Sequence, residues 1–151
     1  MKVSFRFRNI IIIVICYMYV VMLTYAATSK LLDFENFRIQ LGQSPLVSAF
    51  VGWIPITLPA SEFIIAILLL IPKFRFIGLF AAYSLMTMFT AYIYIILNYS
   101  SFVPCSCGGI LEKMTWNQHL VFNIFFIFLA VFAILLKTKH TLLFKRKTLK
   151  L

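Results

Sequence analysis

Four apolar stretches dominate the sequence, at about residues 10–27, 49–71, 76–97 and 118–136. A helix needs about 20 residues to cross about 30 Å of hydrocarbon, and each stretch is close to that length. Backbone groups in lipid must be hydrogen-bonded internally, and these stretches lack the period-two alternation of a membrane barrel. The sequence therefore predicts an all-α fold: a polytopic four-helix transmembrane bundle that forms a single domain over residues 1–151.

The composition agrees with this prediction. Hydrophobic residues make up 63% of the chain and the mean hydropathy is +1.00, whereas a soluble domain is about half apolar. A soluble fold of 151 residues has too little interior to bury so much apolar surface. The first partner that the sequence predicts is therefore the lipid bilayer.

The strong positive charge is distributed around the apolar stretches. Fourteen Lys and Arg residues stand against four acids, and such an imbalance in a soluble protein would indicate nucleic acid. Here the bases flank the membrane stretches, so that contact with anionic lipid explains them and no nucleic acid is expected. With the N-terminus inside, eleven of the fourteen bases lie on the inner side, and Lys30, Arg38 and Lys113 lie outside.

This asymmetry predicts an N-in/C-in orientation, with both chain ends in the cytoplasm. Residues 137–151 would then form a basic cytoplasmic tail. The first stretch is long for the apolar region of a cleaved signal peptide, and we expect it to be retained as a helix. In the first outer loop, a short interfacial helix is predicted from about Lys30 to Leu41.

Two cysteines lie in the outer loop between the third and fourth predicted helices. Cys105 and Cys107 follow Pro104 and precede Gly108 and Gly109, so in the predicted topology both thiols face an oxidising compartment. A disulfide across one intervening residue closes a small, strained ring, and strained exposed disulfides tend to take part in exchange. The pattern therefore favours thiol–disulfide exchange at Cys105 and Cys107.

Other interpretations of this pair stay open. The cysteines can form a passive loop disulfide or remain two reduced thiols. A metal site would need His119 and Glu112 as further ligands, but zinc sites more often have two residues between their cysteines, and no metal is predicted. Cys16 lies in the first helix, roughly 15–20 Å below the outer loop, and is predicted to be buried and apolar in character.

Glu62 is the one acid within the apolar stretches. It falls near the membrane midplane, where a carboxyl group is costly, so it is a candidate functional residue facing the bundle interior. The alternative is a neutral Glu62 with a structural role, hydrogen-bonded to a hydroxyl group of the third helix. The hydroxyl groups considered for this bond are those of Ser84, Thr87 and Thr90.

Three further polar residues lie near the predicted outer interface. Lys30, with Glu62, is predicted to support the bundle or a proton path, or else to extend toward the headgroups as a helix-end residue. His119 can act as a base that raises the thiolate fraction of a nearby cysteine, or can be an ordinary interfacial residue at a helix start. Asn123, one turn further along, is predicted to hydrogen-bond across helices.

These residues occur in three segments that together resemble a known family. The segments are Lys30-Leu31 after the first helix, Leu58-Pro59-Ala60-Ser61-Glu62 within the second, and Pro104-Cys105-Ser106-Cys107-Gly108-Gly109 before the fourth. Over nearly the whole chain the sequence resembles the methylamine utilisation protein MauE family of small four-helix membrane proteins, related to DoxX-like redox-associated proteins.

The resemblance implies a multi-pass protein of the bacterial cytoplasmic (inner) membrane. Its implied role is in maturing extracytoplasmic proteins that need disulfides, alongside a thioredoxin-like partner. The named role in the family is maturation of the methylamine dehydrogenase small subunit. Cys105 and Cys107 would be the reactive residues, with Glu62, Lys30 and His119 in support. No cofactor is assigned, although a bundle-bound quinone is a feasible electron acceptor by analogy with membrane disulfide-generating enzymes, because Cys16 is the only further thiol.

Two functions of other classes remain as alternatives. The first is a non-catalytic membrane assembly factor whose cysteines form a structural disulfide. The second is a small transporter that uses Glu62 as a proton carrier. Loss of function on replacing Glu62, with both loop cysteines dispensable, would distinguish the transporter from the redox protein.

Overall fold

The computed structural model describes residues 5–44, 46–99 and 115–148, with side chains described over 6–44, 46–99 and 115–138. This part of the chain consists of helices, turns and short connections, without a strand. The α-helices are α1 (Phe5–Leu32), α2 (Phe34–Gln43), α3 (Ile54–Leu70), α4 (Arg75–Tyr99) and α5 (Trp116–Thr148), and a short 3-10 helix covers Ser48–Phe50. The predicted all-α class is therefore confirmed.

Prolines define several helix boundaries. Ser44 and Ile71, the C-cap residues of α2 and α3, have extended backbone angles, and each immediately precedes a proline in the sequence. A proline disfavours the helical conformation of the residue before it. Pro55 lies in the first turn of α3, where its missing N–H costs nothing.

Several helix bounds differ from the predicted stretches. α1 continues through Lys30 to Leu32, so the short helix of the first loop is α2 and begins at Phe34 rather than at Lys30. α3 begins at Ile54 rather than near residue 49, because the 3-10 helix and a turn come first. α5 continues to Thr148, past the predicted end at 136, since residues 137–148 contain neither Gly nor Pro.

Among the residues that the structure describes, three helices are long and apolar enough to cross a membrane: Arg6–Leu32, Arg75–Tyr99 and Trp116–Thr138. α3 is apolar but shorter, at 17 residues. The outward faces of these helices carry large apolar side chains that a water-soluble protein would bury. Examples exposed by half or more are Ile10, Val21, Ile64, Ile77, Met88, Val121, Phe128 and Leu135. The chain is therefore a multi-pass membrane protein, and lipid contacts these faces.

The four longest helices share one hydrophobic core. α1 packs against α3 and α5, and α4 packs against α3 and α5. Each helix contributes residues spaced by three or four positions, the spacing of one helix face. On α1 this inward stripe includes Ile12, Cys16, Tyr19, Leu23 and Ala27; on α3 it includes Glu62, Ala66 and Leu69; on α5 it includes Asn123, Phe126, Ala130 and Ala133.

The chain connections give the core two distinguishable ends. At the cysteine-loop end, α4 finishes at Tyr99 and α5 starts at Trp116, so residues 100–115 join the helices there. At the hairpin end, residues 71–74 join α3 to α4. α3 and α4 approach closely near this hairpin, because Gly78 of α4 lies directly against Leu69 of α3.

Candidate functional site

An ion pair between α1 and α3 lies in the interior near the cysteine-loop end. Lys30 Nζ donates to Glu62 Oε1 at 2.7 Å. The Glu62 side chain is 1% exposed and that of Lys30 is 12% exposed. Burial of a charge costs several kcal/mol unless an opposite charge is closely paired with it. Removal of either residue would therefore leave the other as an uncompensated buried charge.

The inward stripes of the helices account for the position of this pair. Lys30 continues the α1 stripe three residues after Ala27, and Glu62 belongs to the α3 stripe. The Lys30 side chain runs back along its own helix, since Nζ also donates to the Ala26 carbonyl at 3.3 Å. Its ammonium lies 5.9 Å from the ring centroid of Phe89 on α4. The pair therefore brings α1, α3 and α4 together.

The hydroxyl groups proposed as partners of Glu62 make other bonds. Ser84, Thr87 and Thr90 each donate to the backbone carbonyl four residues earlier on α4, at 3.0, 2.8 and 2.7 Å. Hydroxyl groups inside helices commonly bond in this way. Lys30 is thus the observed partner of Glu62, and the structural alternative of a Glu62–hydroxyl bond was wrong.

His119 lies in the first turn of α5, at the same end of the core. Its ring is half-buried and stacks on that of Trp116, with centroids 6.4 Å apart. The Lys30 charge is close enough to interact electrostatically with it. His119 therefore lies at the end of the core that carries the Lys30–Glu62 pair, within electrostatic range of the Lys30 charge.

Two buried polar atoms on the inward stripes of α3 and α5 lack a partner. Glu62 Oε2 and Asn123 Nδ2 make no hydrogen bond within the part of the chain that the structure describes. Asn123 is 2% exposed and lies four residues after His119, on the same face of α5 and about 6 Å further along the helix. The cross-helix bond predicted for Asn123 is thus not made by its amide nitrogen to any described residue.

Tyr19 is a buried polar residue that the sequence analysis did not single out. Its hydroxyl donates to the Phe126 carbonyl at 2.6 Å, and the two rings meet edge to face with centroids 5.1 Å apart. This bond joins α1 to α5 in the middle of the core. The signal in the sequence is the place of Tyr19 on the inward stripe of α1, where a phenol needs a hydrogen-bond partner.

The two predicted reactive residues, Cys105 and Cys107, lie outside the described residues, as does Glu112. In the sequence, Cys105 follows the last residue of α4 by six positions and Cys107 precedes the first residue of α5 by nine. Their segment is therefore attached to the core at the end that carries Lys30, Glu62 and His119. Whether they react stays a prediction.

Cys16 is buried toward the other end of α1, as predicted. It is 2% exposed and belongs to the hydrophobic core. Arg75 and Lys137, from the hairpin-end side, are close enough to interact with it electrostatically. Cys16 precedes Lys30 by 14 residues on α1, which is about 21 Å of helix, so it does not belong to the candidate site.

The chain matches the model of a known protein family. The family model for methylamine utilisation protein MauE matches residues 8–136. No curated protein and no solved structure matches the chain. The matched range includes the ion pair, His119, Asn123 and both loop cysteines. Because the match covers most of its length, the chain belongs to the MauE family.

Proposed function

We propose that this MauE-family protein is a membrane-embedded thiol–disulfide redox protein that acts in the maturation of extracytoplasmic proteins. Cys105 and Cys107 exchange with a thioredoxin-like partner on the outer side of the bacterial cytoplasmic membrane. The family description, methylamine utilisation, favours a methylamine dehydrogenase-type client. Lys30, Glu62 and His119 support the exchange from the core.

The observation that carries this proposal is the buried Lys30–Glu62 pair at the cysteine-loop end. Charged groups inside apolar helices are costly, and they mark functional sites more often than structural ones. Here the pair and His119 lie at the end of the core to which the segment with both cysteines is attached. A nearby cation stabilises a thiolate, which is the reactive form of cysteine.

The exchange itself is balanced without a cofactor. A thiolate of the reduced pair attacks the partner's disulfide, forming a mixed disulfide and releasing one partner thiolate. The second cysteine then attacks the mixed disulfide, closes the Cys105–Cys107 bond and releases the partner as a dithiol. Two electrons move from the pair to the partner, and the reverse sequence oxidises the partner.

The proposal includes the topology that brings the cysteines to the outer side. All four long helices cross the membrane as a bundle, with both chain ends inside. The support is the excess of basic residues at the hairpin end and in the two termini. α3, at 17 residues, spans about 25 Å at 1.5 Å per residue, and the preceding 3-10 helix and turn extend this segment toward the outer interface.

Trapping of the mixed disulfide tests the proposal. Cells carrying Cys105→Ser or Cys107→Ser are quenched with acid, alkylated and analysed on non-reducing gels. Removal of the resolving cysteine leaves the other one covalently joined to its partner, so one of the two variants is expected to give a reducible adduct. Mass spectrometry of the adduct then identifies the partner and the attacking cysteine.

The matched control is Cys16→Ser, which removes the buried cysteine and is expected to give no adduct. A Cys105→Ser, Cys107→Ser double variant should also give none. If neither single variant yields an adduct while the wild-type pair is fully and stably oxidised, the thiol-exchange proposal fails. The structural disulfide of an assembly factor would then be the better interpretation.

A further inference from the structure

Three basic residues at the hairpin end, Arg8, Arg75 and Lys137, are neither fully buried nor fully exposed. Each is three or four positions from a buried residue of its own helix, the spacing of one helix face: Arg8 from Ile12 on α1, Arg75 from Gly78 on α4 and Lys137 from Ala133 on α5. Arg8 Nε is buried and makes no hydrogen bond within the described part of the chain. Two other bases at this end, Arg6 and Lys73, are exposed. The three part-buried bases thus lie on the core side of three different helices.

Two of these bases, Arg75 and Lys137, are close to one another. Their charges interact electrostatically, and both interact with the buried Cys16 thiol of α1. Arg75 Nε donates to the Leu69 carbonyl at 3.1 Å, which fixes one edge of the guanidinium against the end of α3. The N–H groups on its two terminal nitrogens are donors for another acceptor. Since α5 packs against both α1 and α4, the two cations meet where these three helices come together.

The acids of the sequence do not lie at this end of the described structure. Glu62 is paired with Lys30, and Asp33 and Glu35 follow the opposite end of α1. Glu112, outside the described residues, belongs to the segment that joins α4 to α5 at the cysteine-loop end. Charges that are partly removed from water need an opposite charge nearby. The cluster of cations at the hairpin end therefore points to an anion from outside the protein.

The depth of the cluster restricts the class of this anion. Arg75 is the first residue of α4, and Lys137 is the last but one residue of the apolar segment Trp116–Thr138. Both residues thus lie where apolar helices that contact lipid reach the headgroup region. The abundant anion at that depth is the phosphate of a phospholipid. A guanidinium binds phosphate through two parallel hydrogen bonds, and a lysine ammonium binds it as a point charge.

We propose that Arg75 and Lys137 bind the phosphate of one anionic phospholipid at the hairpin end of the core. Arg8 adds positive charge from α1. Such a site differs from the general attraction of flanking bases to an anionic membrane surface, because it holds one lipid and depends on the part-buried bases rather than the exposed ones. Basic pockets between transmembrane helices bind anionic headgroups in this way. The inference goes beyond thiol exchange and does not involve the loop cysteines.

Lipid binding to the full-length protein in a neutral detergent tests the site. Native mass spectrometry in about 0.15 M ammonium acetate, where exposed charges are largely screened, counts the lipid molecules that each protein retains. Titration with dioctanoyl phosphatidylglycerol is expected to saturate at one bound molecule. Dioctanoyl phosphatidylcholine has the same chains and a phosphate but no net charge, and should bind at least about fivefold more weakly.

Inorganic phosphate distinguishes a lipid from a free anion as the occupant. It offers the same oxygens to Arg75 and Lys137 without acyl chains. A tenfold excess over phosphatidylglycerol should therefore displace little of the bound lipid. Displacement by inorganic phosphate at equal concentration would overturn the assignment to a lipid.

Replacement of Lys137 provides the decisive variant. Lys137→Gln is expected to weaken phosphatidylglycerol binding about fivefold, which corresponds to about 1 kcal/mol for one base near a membrane surface. Lys137→Arg keeps the charge and should keep the affinity. Arg75→Gln should weaken binding at least as much as Lys137→Gln, because the forked hydrogen bonds are lost as well. Arg75 also bonds to Leu69, so circular dichroism checks each fold, and the two Lys137 variants decide if Arg75→Gln does not fold.

Arg6→Gln and Lys73→Gln are the matched controls. Each removes one exposed base from the same end and lowers the net charge by as much as Lys137→Gln does. Their affinity should change by less than about twofold, because salt screens exposed charges more than part-buried ones. Equal weakening in the control and test variants would show general surface attraction and overturn the site. Equal binding of the two lipids, or unchanged affinity in both Lys137→Gln and Arg75→Gln, would overturn it too.

Discussion

Replacement of one partner of the Lys30–Glu62 pair is expected to be the most destabilising single substitution in the candidate site. At 2.7 Å and an effective dielectric constant of about 20, two unit charges attract by about 6 kcal/mol. Desolvation of both groups offsets much of this in the intact pair. Replacing one partner leaves the other buried and unpaired, at a cost of about 3–5 kcal/mol.

The two single variants should differ. Lys30→Met leaves Glu62, which is 1% exposed, without its cation, whereas Glu62→Met leaves Lys30, which is 12% exposed. A long lysine side chain reaches water or headgroups more readily than a buried carboxylate does. We therefore expect Lys30→Met to fall near the upper end of the range, about 5 kcal/mol, and Glu62→Met near the lower end, about 3 kcal/mol.

The double variant distinguishes the net contribution of the ion pair from the cost of leaving one charge buried without its partner. Lys30→Met with Glu62→Met replaces both charges by apolar groups of similar volume, which is often neutral or stabilising. Its free energy of unfolding should lie within about 1 kcal/mol of the wild-type value or above it, so the two single effects do not add. Unfolding in SDS–detergent mixed micelles, followed by circular dichroism, measures all four proteins.

Lys73→Met is the control for this cycle. Lys73 is exposed in the connection between α3 and α4, and its replacement should change the free energy of unfolding by less than about 1 kcal/mol. If each single variant at the ion pair loses less than this, or if the double variant loses the sum of the two, the pair does not stabilise α1 against α3 as argued.

Three further predictions concern the packing. Gly78→Ala should destabilise the protein by about 1 kcal/mol or more in the same unfolding assay, because the added Cβ would lie 3.0–3.1 Å from Leu69, including its backbone nitrogen. Tyr19→Phe should cost about 1 kcal/mol through loss of the hydrogen bond to Phe126. Cys16, in a variant without the loop cysteines, should resist maleimide in native nanodiscs and react fully after SDS denaturation, as judged by mass spectrometry.

Each of these predictions has a matched comparison. Gly42→Ala meets only Val51, at 3.9 Å, and should be neutral or stabilising because alanine favours a helix; equal effects at both glycines would contradict the close approach of α3 and α4. Tyr17 is 55% exposed, so Tyr17→Phe should be silent. Rapid native labelling of Cys16, comparable with that of an exposed Ser48→Cys variant, would contradict its burial.

The helices follow from the sequence because lipid permits few alternatives. A long apolar run in a bilayer must be helical, and the run alone therefore predicts α1, α4 and α5. Their ends are less predictable, since hydropathy marks the limits of the membrane rather than those of the helix. α5 thus continues to Thr148 through a basic segment, whereas prolines end α2 and α3.

The partner of Glu62 could not be predicted from local pattern. An acid within an apolar helix needs a polar neighbour, but its identity depends on which helices are adjacent and how deeply each side chain lies. Lys30 is 32 residues away in the sequence, and its helix extends further than the apolar stretch indicates. The hydroxyl groups of α4 are plausible partners from the sequence, but each of them donates to a backbone carbonyl of its own helix. The roles of Cys105 and Cys107 remain predictions from spacing, topology and family resemblance.

The redox state of the loop cysteines in living cells tests the central claim most directly. In Cys16→Ser protein, Cys105 and Cys107 are the only thiols, so a mass-shifting alkylating reagent reports on this pair alone. The account predicts a pair that is partly reduced at steady state, becomes oxidised after a pulse of a thiol oxidant and recovers within minutes. A pair that stays fully oxidised throughout, or that never oxidises, would contradict thiol exchange as the function of this protein.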